Sequence, residues 1–317
     1  MNKMKFWLSA CLMLATISSK ADIAATVMLH HNGKTTLFQW NEVQNAVDAA
    51  ADGDTIYLAE GTFSAFNVNK RIMVRGTGPK TIVQGMCYIN IPGEAPLGMP
   101  VLDAICFSED IYVYSAYKQF TLRKIKAQNL RFHNTSNFYD MKLFCCQFTG
   151  YLWLRQNIKE FNAFNCKIYR LHPEDYKSGK VTFEHCNISL ITDTIVGATF
   201  NSCALKECNK NSQGYNITNF FSCVFDNCVF YYYNGYYLGW SNCNMINCTK
   251  DSNVDINFNG TSGSKTYIST IDNTYIGAYG GTYPFTLYPA LPTVTKHRYS
   301  VDAANKKLNV TLTVDKR

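Results

Sequence analysis

Cysteines recur along this chain at a nearly constant step. Cys146, Cys166 and Cys186 stand 20 residues apart, and Cys203, Cys223 and Cys243 resume that step after one of 17. A second series, Cys208, Cys228 and Cys248, follows five residues behind. The neighbours repeat as well. Three residues before the first-series cysteines stand Leu143, Ala163, Phe183, Phe200, Phe220 and Trp240, and two after them Phe148, Ile168, Ile188, Leu205, Phe225 and Met245. Five after them come Tyr151, Leu171, Ile191 and the second cysteine series. A step back of 21 places Leu122, Ile125, Ala127 and Leu130 in the same four slots. A period this short, sustained over seven units, belongs to a solenoid in which each unit covers the apolar surface of the next.

The spacing also selects the kind of solenoid. The cysteine and the residue two after it share a face, as alternate residues of a strand do. The slots at −3 and +5 break that parity and imply bends between short strands. Helical repeats need longer units, and a chain rich in Asn, Thr, Phe and Tyr opposes helix. The leucine- and asparagine-containing signature of leucine-rich repeats is missing. The expectation is an all-β parallel β-helix, with like side chains stacked once per coil. A short amphipathic helix is expected over Asn41–Ala51, with Asn41 as N-cap, Gln44 at the capping-box position and Val43, Ala46, Val47 and Ala50 on its buried face. Residues 86–120 fit the period poorly, and Ile91 to Pro96 read as a loop. After Gly277 to Gly281 the chain should leave the solenoid, and residues 297–317 alternate like a closing strand pair.

Two segments carry a family resemblance. Gly53-Asp54-Thr55-Ile56-Tyr57-Leu58-Ala59-Glu60-Gly61-Thr62-Phe63, just after the helix, resembles the opening coil of the pectin-lyase-like superfamily. Ile72 to Gly78 and Thr81 to Gly85 resemble its second coil. The resemblance covers roughly residues 38–280 and implies a right-handed parallel β-helix of a secreted bacterial type, with a capping helix at its start. It is specific for fold and unspecific for activity.

The N-terminus reads as an export signal, with Lys3 and Lys5 ahead of an apolar stretch from Phe6 to Ile17 and small residues at Ser19 and Ala21. Leu8-Ser9-Ala10-Cys11 looks like a lipoprotein box, but few apolar residues precede Cys11 and the apolar run continues past it. The expected division is therefore residues 1–21 as signal peptide, 22–280 as capped β-helix and 281–317 as a closing tail. The exported product would be secreted, periplasmic or held at the cell surface, with no transmembrane segment in the mature chain. Loss of three of the 30 basic residues and no acid leaves 27 against 23, a net charge near +4. That charge is too small to argue for nucleic acid.

The chemistry in the sequence is sparse. Stacked inward thiols do not converge as four zinc ligands must, and their coil-spaced Cβ atoms lie wider apart than disulfides prefer, so the cysteines read as a core ladder. A basic belt comprises Lys118, Arg123, Lys124, Lys126, Arg131 and His133, with no acid between Asp110 and Asp140. It is a candidate site for an acidic glycan through charge-assisted hydrogen bonds. Tyr231, Tyr233 and Tyr236 are candidates for stacking on sugar rings. The resemblance implies an alternative, a polysaccharide lyase using Lys or Arg as base with calcium held by acids; Asp140 and Glu160 on the following coils are the acids that could approach. Without that alternative no cofactor and no metal is expected. The segments typical of β-helical polygalacturonases are missing: Arg123-Lys124-Ile125-Lys126 interrupts the Arg-Ile-Lys pattern, and no Asp-Asp occurs. Glu174-Asp175 beside His172 reads as a turn. The leading expectation is a non-catalytic β-helix that binds polysaccharide or a cell-envelope glycan.

Overall fold

The structure, a computed structural model, describes residues 26–91, 100–114, 119–133, 138–155, 158–174, 180–208, 219–226, 228–231, 239–241, 244–246, 249–251, 278, 293–302 and 307–315. The export segment, Lys118, Tyr233, Tyr236 and the expected loop after Ile91 lie outside them. Strands dominate, and they stack as a parallel β-helix. Sheet A begins with an antiparallel pair, Lys34–Phe38 against Val27–His31, which in turn pairs antiparallel with Thr55–Leu58. From Thr55–Leu58 to Asn244–Ile246 its neighbours are all parallel. Sheet B runs beside it from Gly61–Ser64 to Thr249–Asp251. A third side starts with Asn67–Val68, Cys87–Ile89, Ile111–Val113 and Leu130–Phe132. It merges into sheet B at the long strand Gln147–Arg155, which pairs with both Lys126–Ala127 and Leu130.

The helix is shorter than its sequence pattern, Val43–Ala49, and its N-cap is Glu42 with no side-chain capping bond. Asn41 therefore does not cap it. Gln44 spends its amide elsewhere, accepting from the Asn67 N–H at 2.7 Å and donating to Asp48, so it ties the helix to the first coil. Val43, Ala46, Val47 and Ala50 are buried as their period requires.

Inward residues form one continuous core, with Phe183, Phe200 and Phe225 stacked at 5.1 and 5.0 Å. The nine cysteines whose side chains are described are free thiols. Cys146, Cys166, Cys186, Cys203 and Cys228 are buried, and each lies against a carbonyl of its own or the preceding coil. The column shifts phase once. The step after Cys203 leads to Cys228, because Ala204 pairs with Val229 and Phe200 with Phe225. Cys223 lies in a different column, against the Ile195 carbonyl, and Phe220 pairs with Ile195 and Trp240. A coil of 25 residues, between one of 17 and one of 20, thus hides behind an unbroken spacing of 20.

The passage from sheet A to sheet B is uniform. Two residues separate the strands at every crossing from Asp103 to Ile246. The first of the pair takes a left-handed backbone at Ala104, Lys124, Cys145, Asn165, His185 and Ser202, with φ between 48° and 57°. Its N–H donates to the last carbonyl of the next sheet A strand, as Lys124 does to Phe144 and Cys145 to Phe164. The second residue turns inward, which explains why a cysteine or isoleucine recurs there. Strands Thr293–Asp302 and Lys307–Asp315 pair antiparallel with each other. Among the described residues no helix is long and apolar enough to cross a membrane.

A candidate binding face of rings and guanidinium groups

The coil wraps the basic belt around three sides. Arg123 faces out from sheet A, Lys124 occupies the left-handed corner, and Lys126 stands exposed on sheet B. Arg131 and His133 lie on the third side. Lys118 lies outside the described residues. Contiguity in sequence is thus lost in space. Arg123 is also spent locally: its Nε and Nη2 donate to the two Asp103 oxygens at 2.9 and 2.6 Å, and Arg75 Nε adds a bond at 2.8 Å. Burial alone would push the Asp103 carboxyl up, but these two guanidinium groups outweigh it and hold the pKa below the usual value. Lys126 borders a shallow depression of about 390 Å³ on sheet B, with Cys106, Ser108, Gln128 and Thr149 around it. Asp140 and Glu160 belong to sheet A, where they pair with Lys142 at 2.8 Å and Lys180 at 3.6 Å. They do not join Lys126. Among the described residues no group of three or more His, Cys, Asp or Glu is arranged to hold a metal ion.

The third side carries what the belt lacks, a set of rings in register. Tyr88 pairs with Tyr112 and Tyr112 with Arg131; the next two coils place Trp153 and then His172 in line, since Leu130 pairs with Leu152 and Trp153 with His172. Outward positions repeating once per coil make a column about 19 Å long, at a spacing of ~4.8 Å. Tyr88 and Tyr112 stack at 5.4 Å, and Trp153 meets His172 edge-on at 4.4 Å. The Arg131 guanidinium lies between Tyr112, at 5.6 Å, and Trp153, at 5.3 Å. A second row flanks the column: Tyr114 against His133 at 4.8 Å, and Arg155 at 5.9 Å from the Trp153 ring. On the other flank Arg170 lies over Tyr151 at 5.1 Å and Tyr169 at 5.3 Å. A guanidinium within about 6 Å of a ring centroid gains up to about 2 kcal/mol where water is excluded.

A local irregularity sets this arrangement. Strand Gln147–Arg155 carries one residue more than the coils on either side, so the register slips between Phe148 and Tyr151. Thr149 and Gly150 together stand against Tyr169 alone, and a Cβ on Gly150 would collide with the Asn129 side chain. Asn129, itself buried, accepts from the Tyr151 N–H through Oδ1 and donates through Nδ2 to Asp110, both at 2.5 Å. Asp110 in turn holds Arg131 at 3.1 Å. One buried chain of contacts therefore fixes Arg131 and Tyr151 on adjacent coils. The slip also moves Tyr151 out of the core slot its spacing assigned: Leu152 takes the inward place between Leu130 and Leu171, and Tyr151 is half-exposed. Glu174 closes a strand, Lys167–Glu174, rather than a turn, and pairs with Arg155 at 3.0 Å.

Of the belt, then, the structure brings Arg131 and His133 to a common face and leaves Arg123, Lys124 and Lys126 elsewhere. Tyr231 ends strand Val229–Tyr231, while Tyr233 and Tyr236 lie outside the described residues. Sequence reasoning passed over Tyr88, Tyr112, Tyr114, Trp153 and Arg170. The signal was present in the outward positions of the repeat, one residue after Leu130 and Leu171, but the slot misassigned to Tyr151 concealed it. Burial holds the His172 pKa below its usual value against the pull of Asp193 and Glu174, so its ring is neutral at pH 7. Neither a family model nor a curated protein matches this chain.

Proposed function

We propose that this chain is an exported right-handed β-helix of the pectin-lyase-like kind that binds a polysaccharide or cell-envelope glycan on its third side without cleaving it. The observation that carries this reading is the ring column from Tyr88 to His172, partly open to solvent over five coils. Sugars present C–H faces that lie on aromatic rings, and hydroxyl groups that pair with guanidinium and ring N–H edges. A rigid sheet holds those groups in place before the ligand arrives, which lowers the ordering cost of binding. The lyase reading requires a Lys or Arg base beside calcium-holding carboxylates, and Asp140 and Glu160, the acids expected to approach the belt, stand on sheet A, away from Lys126 and Arg131.

A glycan array probed with the protein tests the proposal. Trp153→Ala and Tyr112→Ala should each weaken the retained glycans about tenfold or more, the size of a ~1.4 kcal/mol loss. Equal retention by both variants would remove the third side from the account. Incubation with acidic polysaccharides should produce no rise in the absorbance of unsaturated sugars; a rise abolished by Lys126→Ala would restore the lyase.

A further inference from the structure

Strand register sets the cysteine ladder rung upon rung. Phe144 pairs with Phe164 and Gln147 with Lys167, so Cys166 follows Cys146 on the next coil. The corresponding pairs carry the column on to Cys186, Cys203 and Cys228. All five side chains are fully buried. The thiols also sense one another, Cys166 interacting with Cys146 and Cys186, and Cys203 with Cys186 and Cys228. Cys87 is as deeply buried but pairs with Ile111, and Cys106 pairs with Ile82 and Lys126.

Among the described residues no three sulfurs converge, which a tetrahedral zinc site would require. A straight column suits a different ion. Adjoining rungs stand about 4.8 Å apart at the strand spacing, close to twice a metal–thiolate bond of ~2.3 Å. A soft cation that takes two sulfur ligands in line therefore fits between neighbouring coils, and thiolate sulfur favours Cu(I). The hydrogen bonds permit the exchange. Each ladder thiol donates at 3.2–3.4 Å to the carbonyl two residues before it, those of Phe144, Phe164, Glu184, Asn201 and Asp226. Every one of these carbonyls already accepts a corner N–H at 2.8–3.0 Å, from Lys124, Cys145, Asn165, His185 and Ser202 in turn. Loss of an S–H leaves these acceptors satisfied. Burial keeps the Cys166 and Cys203 thiols protonated, so an ion that displaces one proton leaves the core neutral.

We infer that the ladder is a soft-cation site, in which single Cu(I) ions lie between the thiols of adjoining coils with two sulfur ligands each. Each ion forms two Cu–S bonds and releases one thiol proton to solvent, while the second sulfur keeps its own. The copper stays Cu(I), so no oxidant or reductant takes part. The rungs are sealed from solvent once the coils close, and the ions therefore enter as the chain folds. The site is independent of the third side and of what binds there.

The test refolds the whole protein without oxygen in the presence of Cu(I), then strips it with the chelator bathocuproine disulfonate and counts the copper that remains. Copper should be retained, one proton should be released per ion, and X-ray absorption should find two sulfur neighbours around each. Cys166→Ala with Cys203→Ala removes alternate rungs and should retain two ions fewer. Cys87→Ala with Cys106→Ala deletes as many thiols away from the ladder and should retain the full number. Equal losses in the two double variants, ions with three or more sulfur or nitrogen neighbours, or a refolded protein that keeps no copper each overturn the site. Near-UV circular dichroism shows whether the variants fold; if they do not, retention and X-ray absorption on the unsubstituted chain decide.

Discussion

At the corner between sheets A and B, one residue in each coil takes a backbone conformation that costs an L-amino acid about 1–2 kcal/mol. Ala104, Lys124, Cys145, Asn165, His185 and Ser202 all adopt it, and of these only asparagine enters the region readily. The corner hydrogen bonds and the inward anchoring of the next residue compensate. Glycine would relieve the strain at the cost of a looser unfolded chain, a loss of roughly 0.5–1 kcal/mol. Lys124→Gly is therefore expected to stabilise the protein by about 0.5 kcal/mol, visible as a higher urea midpoint with an unchanged slope. A lower midpoint would mean that the Lys124 side chain contributes packing that outweighs its backbone. The corner was half legible: the sequence marked the inward cysteine but not the strained residue before it, because the types there share no common chemistry.

Among the elements, the strand Gln147–Arg155 departs furthest from its sequence expectation. Repeat arithmetic aligned Tyr151 with Leu171 and Ile191, and the alignment fails by one residue because Gly150 and Asn129 together absorb an insertion at the bend. Nothing in a single sequence distinguishes that bend from a strand continuing in phase. The same applies to the coil that carries Cys203 to Cys228, whose extra length is invisible while the spacing of 20 continues. Asn129 is the residue on which the bulge turns. Asn129→Leu strips the acceptor from the Tyr151 N–H and one donor from Asp110, which keeps Arg131, at ~1–3 kcal/mol for each bond lost. A loss of about 2–4 kcal/mol in denaturant unfolding is expected, with weaker glycan binding as Tyr151 and Trp153 lose their footing. Unchanged stability would show that the strand keeps its slip without the asparagine.

Over the whole molecule, like residues stacked on like were predictable from the period, and so were the core and the free thiols. The faces were not, since a belt contiguous in sequence wraps around the coil while the ring column is assembled from residues about 20 apart. Burial divides the cysteines whose side chains are described into two populations. Cys106 and Cys145 are half-buried, whereas Cys87 and the ladder thiols are enclosed, and burial pushes the Cys166 and Cys203 thiols far up. Cys145 is pushed up to about 11, chiefly by burial. Native alkylation, followed by intact mass and peptide mapping, should reach Cys106 and Cys145 first, with the Cys145 rate climbing with pH until about 11. The ladder should react only on unfolding and need no reductant. Ladder thiols that react in the native state would mean that the coils open singly.

The two-residue crossing from sheet A to sheet B bears on how such a molecule can change. That crossing never varies from Asp103 to Ile246, so each difference in coil length is taken up at the other bends. Five residues separate Val113 from Gln119, Phe132 from Phe138 and Glu174 from Lys180, and ten separate Cys208 from Asn219. From Asp103 onward that seam carries no insertion, and added sequence enters at the other bends, next to the rings. Selection or engineering can thus reshape the border of the ring face by adding residues there, while the packed interior registers none of it.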